Sequence, residues 1–263
     1  MNFSLSFGPW DYALLSVVSL QATAIAYLHR PKFKVLLMGL PLPFTLATLA
    51  LGDRLNVTHI SGLMALLLYT HGVRLLHYNA RVPIVAAIAV SAAGYSIIGT
   101  CMAGVLPVTA AAFWIAAGLG LGVAFALFAA TPHREEPGHR TPLPIWMKLP
   151  IVASVIFMLI VAKHILSGFM TLFPMVGVIA AYEARRSLWA VCRQIHALAL
   201  AFVPMAITIW LVQGRVGLGR ALVAGWAVYL LVLVPLSWRM WFAAPQLKSA
   251  AGEFNNDRFA KQR

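Results

Sequence analysis

Long apolar runs broken by short polar stretches set the pattern of this chain. Nine such runs recur, at about 10–28, 35–51, 59–76, 82–103, 106–130, 148–166, 169–184, 195–213 and 219–238. Most approach the ~20 apolar residues that a helix needs to cross a bilayer. The longest polar interruption, 131–147, is dense in Pro132, Pro137, Gly138, Pro142 and Pro144, which reads as a link between two halves. After the ninth run the chain turns polar, and 246–263 reads as a mobile tail. The pattern predicts an all-α polytopic transmembrane bundle of nine spans, one membrane domain over 1–263. Its parts are a first four-span half (1–104), a linker span (105–131), a loop (132–147), a second four-span half (148–239) and a polar tail (240–263).

Composition strengthens this reading. The chain is 61% hydrophobic and 10% charged, against roughly 25% charged residues in a soluble domain. Charge placement then orients it. If the runs thread back and forth, one side collects Arg30, Lys32, Lys34, Arg74, Arg81, Arg134, Arg140, Lys148, Arg185, Arg186, Arg193, Arg239, Lys248, Arg258, Lys261 and Arg263. The other keeps Arg54, Lys163, Arg215 and Arg220. The positive-inside rule makes the first side cytoplasmic, with the amino terminus outside and the carboxyl terminus inside. Residues 1–10 lack the basic start of a cleavable signal, so the first run is expected to stay in the protein. The net charge of +13 sits in short loops, where membrane topology alone would place it, and this excludes a nucleic-acid partner.

An odd connecting span would put the two quartets in opposite orientations, the inverted-repeat arrangement of many transporters. Gly39-Leu40-Pro41-Leu42-Pro43-Phe44 in the second run and Thr171-Leu172-Phe173-Pro174-Met175-Val176 in the seventh occupy equivalent places. Proline inside a helix removes a hydrogen bond and frees a carbonyl. Pro41, Pro43 and Pro174 therefore read either as kinks in packed helices or as breaks where a solute binds near the midplane.

The stretch Ser167-Gly168-Phe169-Met170-Thr171-Leu172-Phe173-Pro174, followed by a small-residue helix ending at Tyr182, resembles the second helix of GlpM-type four-helix bacterial inner-membrane proteins. The resemblance covers about 148–237 and implies a four-span unit in a bacterial inner membrane, with no catalytic residues to carry over. More distantly, two opposed four-span units look like the drug and metabolite transporter group. This chain lacks that group's acidic residue in the first span, which argues against proton-coupled cation export.

Charged side chains inside spans are costly and therefore draw attention. Asp11 and Asp53 fall at run ends, Glu135 and Glu136 in the linker, and Glu253 and Asp257 in the tail, which leaves Glu183 near the membrane. Helical spacing would let it meet Arg186 at i+3 as an interfacial ion pair, or it gates a solute path. His71, on the face of Arg74 and near Tyr69, reads as a proton-relay or binding group, or as a histidine hydrogen-bonded to a neighbouring helix. Lys163, His164 and His196 fall near run ends, where snorkelling explains them. Trp10, Trp146, Trp189, Trp238 and Trp241 sit where belt aromatics sit. Gly118 and Gly122 have the small-xxx-small spacing of closely packed helices, within the chain or across a dimer.

His71 and His77, His133 and His139, and the lone Cys101 and Cys192 have no metal-ligand spacing, and no phosphate loop or nucleophile elbow is present. The expectation is thus a non-enzymatic membrane protein without metal or cofactor, whose partners are the lipid bilayer, a small-molecule substrate, and a homodimer or larger membrane complex. Transport of a small solute, anionic or neutral, is the leading reading, with Pro41, Pro43, Tyr69, His71, Pro174, Tyr182 and Glu183 as substrate-binding candidates. Gln21, Thr45, Thr48 and Thr171 join them as further polar groups that would line the path. The competing reading is a non-catalytic membrane subunit or scaffold of an envelope-associated complex.

Overall fold

A computed structural model of the chain describes residues 8–28, 36–131, 144–161 and 167–242. The expectations placed on Lys163, His164, the basic cluster at 30–34, the linker carboxylates and the tail lie outside these residues. Among the described residues there are nine α-helices and no strand. They are α1 (Pro9–Tyr27), α2 (Leu42–Leu51), α3 (Val57–Arg74), α4 (Ile84–Val105), α5 (Ala110–Ala130), α6 (Ile145–Val161), α7 (Met175–Glu183), α8 (Leu188–Val216) and α9 (Leu218–Phe242). A π-helical turn, Leu75–Asn79, continues α3, and a 3-10 segment, Ser167–Leu172, precedes α7.

Local chemistry sets the ends. Asn56 opens α3 by accepting from the Thr58 amide at 2.9 Å, and Thr109 opens α5 by accepting from Ala112 at 3.2 Å, as capping side chains do. Pro41 and Pro174 stand at the N-caps of α2 and α7. There a missing amide is harmless, and the proline starts a helix instead of kinking one.

Four helices, α4, α5, α8 and α9, are long and apolar enough to cross a membrane. Three of these expose much of their apolar surface: Val90 and Ile97 on α4, Ile115, Leu119 and Phe125 on α5, and Leu231 on α9 are all exposed. Each such side chain loses roughly 1.5–3 kcal/mol when it faces water instead of an apolar medium, so these exposed apolar faces suit lipid. With ten and nine residues, α2 and α7 rise only about 15 Å, half the hydrocarbon thickness. Each is preceded by an apolar break segment, and together these make the shorter apolar stretches Leu36–Leu51 and Gly168–Glu183.

α8 is the centre. Its apolar window is 56% buried, against 22% to 33% for the other three long helices, because α9, α5 and α3 all pack on it. Against α9 the approach is set by Gly225, where a Cβ would stand 2.6 Å from Ile209 Cγ1. α4 lies against α3, and α1 against α2, α6 and α7. Within the chain, the close-packing glycine of α5 is Gly120. Gly118 and Gly122 face open space, and Gly120, on the buried stripe of Phe113, Ala117 and Ala124, meets Val203, Met64 and Leu63. The stripe follows α5's packing against α3 and α8, and Gly120 stands two residues from each of Gly118 and Gly122, on another face of the helix.

Candidate functional site

The two proline-marked segments meet. Pro41, Pro43 and Phe44 from the first and Leu172, Phe173, Pro174 and Gly177 from the second line one cavity of about 80 Å³, closed by Leu66 of α3 and by Ile195 and Phe202 of α8. Its lining is apolar, with the Thr171 hydroxyl turned away to donate to Gly168 O at 2.7 Å.

Breaking a helix in an apolar interior strands backbone carbonyls, and each unsatisfied polar group there costs several kcal/mol. Distant side chains bring donors to the broken segments and to α2. Tyr95 of α4 donates to Phe169 O at 2.7 Å, and Tyr229 of α9 donates to Gly39 O. Gln21 of α1 donates to Leu37 O at 2.7 Å, and Trp226 of α9 donates to the Thr45 hydroxyl at 2.8 Å. Tyr95 and Tyr229 each stand eleven residues past the first residue of their helix, Ile84 and Leu218.

A second pair of ties has the same reciprocity. Beyond the end of α3, the Tyr78 hydroxyl accepts from Leu188 N at 3.2 Å and donates to Arg185 O at 3.3 Å, holding the entry to α8. Near the end of α8, Gln213 accepts from Leu55 N and donates to Leu55 O, both at 2.8 Å, holding the entry to α3. The two tyrosines are 134 residues apart, and Tyr78 and Gln213 are 135 apart.

The 3-10 segment fits against α3 only because position 168 is glycine. A Cβ there would collide with the Thr58 hydroxyl and stand 2.7 Å from His59 Nδ1.

Where α3 ends and α8 begins, His71 and His196 form an imidazole pair, Nε2 to Nε2 at 2.9 Å with ring planes 17° apart. One Nε2 must carry the proton and the other the lone pair. Whichever donates, His196 Nδ1 is buried without a partner, so the pair is incompletely satisfied. Beside it the Arg74 guanidinium lies 4.5 Å from the centre of the Trp189 ring, and Cys192 contacts Thr70 O at 3.7 Å.

Tyr69 is buried beside Gly177, its hydroxyl without a partner. Tyr182 lies under the Arg185 guanidinium at 4.9 Å, and its carbonyl accepts from Arg185 at 3.1 Å. Glu183 is 3% exposed. α7 ends at Glu183, and Arg186 lies exposed in the turn that follows. Asp11 stands at the start of its run as expected, in the first turn of α1, where it is 2% exposed and accepts from Gly8 N at 2.8 Å. Thus the structure gathers Pro41, Pro43 and Pro174 around one cavity with Tyr69 nearby, puts His71 in a separate pair, and leaves Tyr182 and Glu183 at the end of α7.

His196, expected near a run end where snorkelling would explain it, is instead buried. The apolar run begins at 195, but α8 begins at Leu188, so His196 is two turns inside and fully buried. The signal was the stripe Trp189, Cys192, Arg193 and His196, at i, i+3, i+4 and i+7. Tyr95, Tyr229 and Gln213 were missed, each a single polar group in an apolar run. No family model matches the chain, and no curated protein or solved structure matches it.

Proposed function

We propose that this chain is a permease for a small anionic or neutral solute in a bacterial inner membrane. In this reading nine membrane-embedded segments form two inverted four-helix units around α5, with the amino terminus outside and the carboxyl terminus in the cytoplasm. The observation that carries it is the reciprocal pair of tyrosine ties: the same helix position in each half holds the broken segment of the other, at a spacing of 134 residues that the second pair of ties repeats within one residue. A duplicated unit related by a two-fold axis produces such pairs in twos. The resemblance of 148–237 to four-helix GlpM-type proteins supports a four-span unit of the same size.

Discontinuous helices meeting at a repeat interface are where secondary transporters bind solute. Pro41, Pro43 and Pro174 line that meeting point. Tyr69 supplies a buried hydroxyl beside it, and His71, Tyr182 and Glu183 would form its cytoplasmic end. Rocking one unit on the other would open the cavity to each side in turn. The chain works by binding and movement, without covalent chemistry.

The cavity's size favours one rival. At about 80 Å³ it is well below the ~300 Å³ at which small-molecule pockets begin, as a packed, non-transporting membrane subunit would have it. Cysteine accessibility separates the two. With Cys101 and Cys192 replaced by serine, a cysteine at Leu66 or Val176 should react with a membrane-impermeant thiol reagent from both faces of oriented vesicles. Protection from both faces would favour the subunit.

A further inference from the structure

Side-chain ties cross the seam between α3 and α8 on both sides of the cavity. Leu66 of α3 and Phe202 of α8 both line that cavity. On one side of it, His71, five residues beyond Leu66, meets His196, six residues before Phe202, at 2.9 Å. Further out on the same side, Tyr78 bonds to Leu188 N and Arg185 O at 3.2 and 3.3 Å. On the opposite side, Leu55 stands eleven residues before Leu66 and Gln213 eleven beyond Phe202, joined by two bonds of 2.8 Å. The two helices therefore run antiparallel, and the cavity is bracketed along their seam.

Between the brackets the seam is apolar. Ile60 and Leu63 of α3 share one buried cluster with Val203, Ala206 and Ile209 of α8. Apolar contact is non-directional and tolerates a small tilt, whereas a hydrogen bond weakens steeply with angle and holds over only about half an ångström. When α3 tilts against α8 about the apolar middle, the ties at one end break while those at the other stay within reach. Polar ends on an apolar middle thus give the seam two alternative openings.

We propose that these ties are the two gates of the cavity, an inference that rests on the permease reading above. His71–His196 together with Tyr78 forms the gate at the face where α3 ends, and Gln213–Leu55 forms the gate at the face where α3 begins. Both are shut in this structure. Removing one gate lowers the cost of opening its own end alone, so the population shifts toward the state open at that face. Ties that served only to hold the bundle together would, once removed, loosen it toward both faces.

The test uses the full-length chain with Cys101 and Cys192 replaced by serine and a cysteine at Val176, which lines the cavity. A membrane-impermeant maleimide is applied to either face of oriented vesicles. Gln213→Leu should raise the labelling rate about tenfold from the face where α3 begins, as the loss of two hydrogen bonds allows, and leave the other face unchanged. His71→Ala/His196→Ala should raise it from the face where α3 ends and leave the first unchanged. Tyr78 is exposed, so Tyr78→Phe tests that same gate even if the buried variants fail to fold. An equal rise from both faces, or no change in a parent labelled from both, overturns the gates and leaves the permease standing. Protection of the parent and every variant from both faces overturns the permease and its gates together.

Discussion

Tyr95 and Tyr229 stand at the same position of α4 and α9, and each donates its hydroxyl to a carbonyl in the broken segment of the opposite half, Phe169 and Gly39. Both hydroxyls are buried with their acceptors, so each tie joins a long helix to a broken segment out of reach of water.

Replacing either tyrosine with phenylalanine keeps the ring packing and removes a buried hydrogen bond, to Phe169 O or to Gly39 O. Tyr95→Phe and Tyr229→Phe should each lower stability by about 1–3 kcal/mol, read as a loss in Tm in detergent. A change in one and none in the other would show that the two ties are not equivalent.

The imidazole pair makes a prediction about coupling. His71→Ala leaves His196 with both ring nitrogens unmatched, whereas removing both rings leaves neither. A double-mutant cycle over His71→Ala and His196→Ala should therefore give a coupling of at least ~0.5 kcal/mol. Strict additivity would mean that the 2.9 Å contact contributes nothing.

Two glycines should respond oppositely to alanine. At Gly168 the added methyl collides with Thr58 and crowds His59, so Gly168→Ala should destabilise by about 1–3 kcal/mol. At Gly118 nothing lies within 4 Å, and the helix gains up to ~1 kcal/mol of propensity. Thermal unfolding of the two variants side by side checks the pair.

Gln213 makes two bonds with the backbone of Leu55, one through each amide atom. Gln213→Leu keeps the volume but leaves an amide and a carbonyl unmatched at the entry to α3. It should cost about 2–4 kcal/mol, roughly twice a single orphaned group, and hydrogen exchange at the first turn of α3 should rise before global unfolding.

Much of the fold was legible because apolar runs announce helices directly: each of the nine runs holds one. Pro41 and Pro174 marked the breaks because proline's missing amide is a local property. What stayed hidden depends on tertiary contact. Gly120, and not Gly118 or Gly122, packs because α5's rotation is fixed by α3 and α8. His196 is buried because α8 runs two turns further than its apolar run. Tyr95 and Tyr229, each one aromatic among many, acquire meaning only once the carbonyl opposite them is known.

The reciprocity of the tyrosine ties bears on how the chain is made. During synthesis the break near Gly39 emerges long before its donor at Tyr229, and the carbonyl of Phe169 is met by a donor already in place. The first half must therefore wait, incompletely bonded, for the last helix. A split version, with 1–131 and 132–263 made as separate polypeptides, would hold together only when both are present in the same membrane, and either fragment alone would be a substrate for membrane proteolysis.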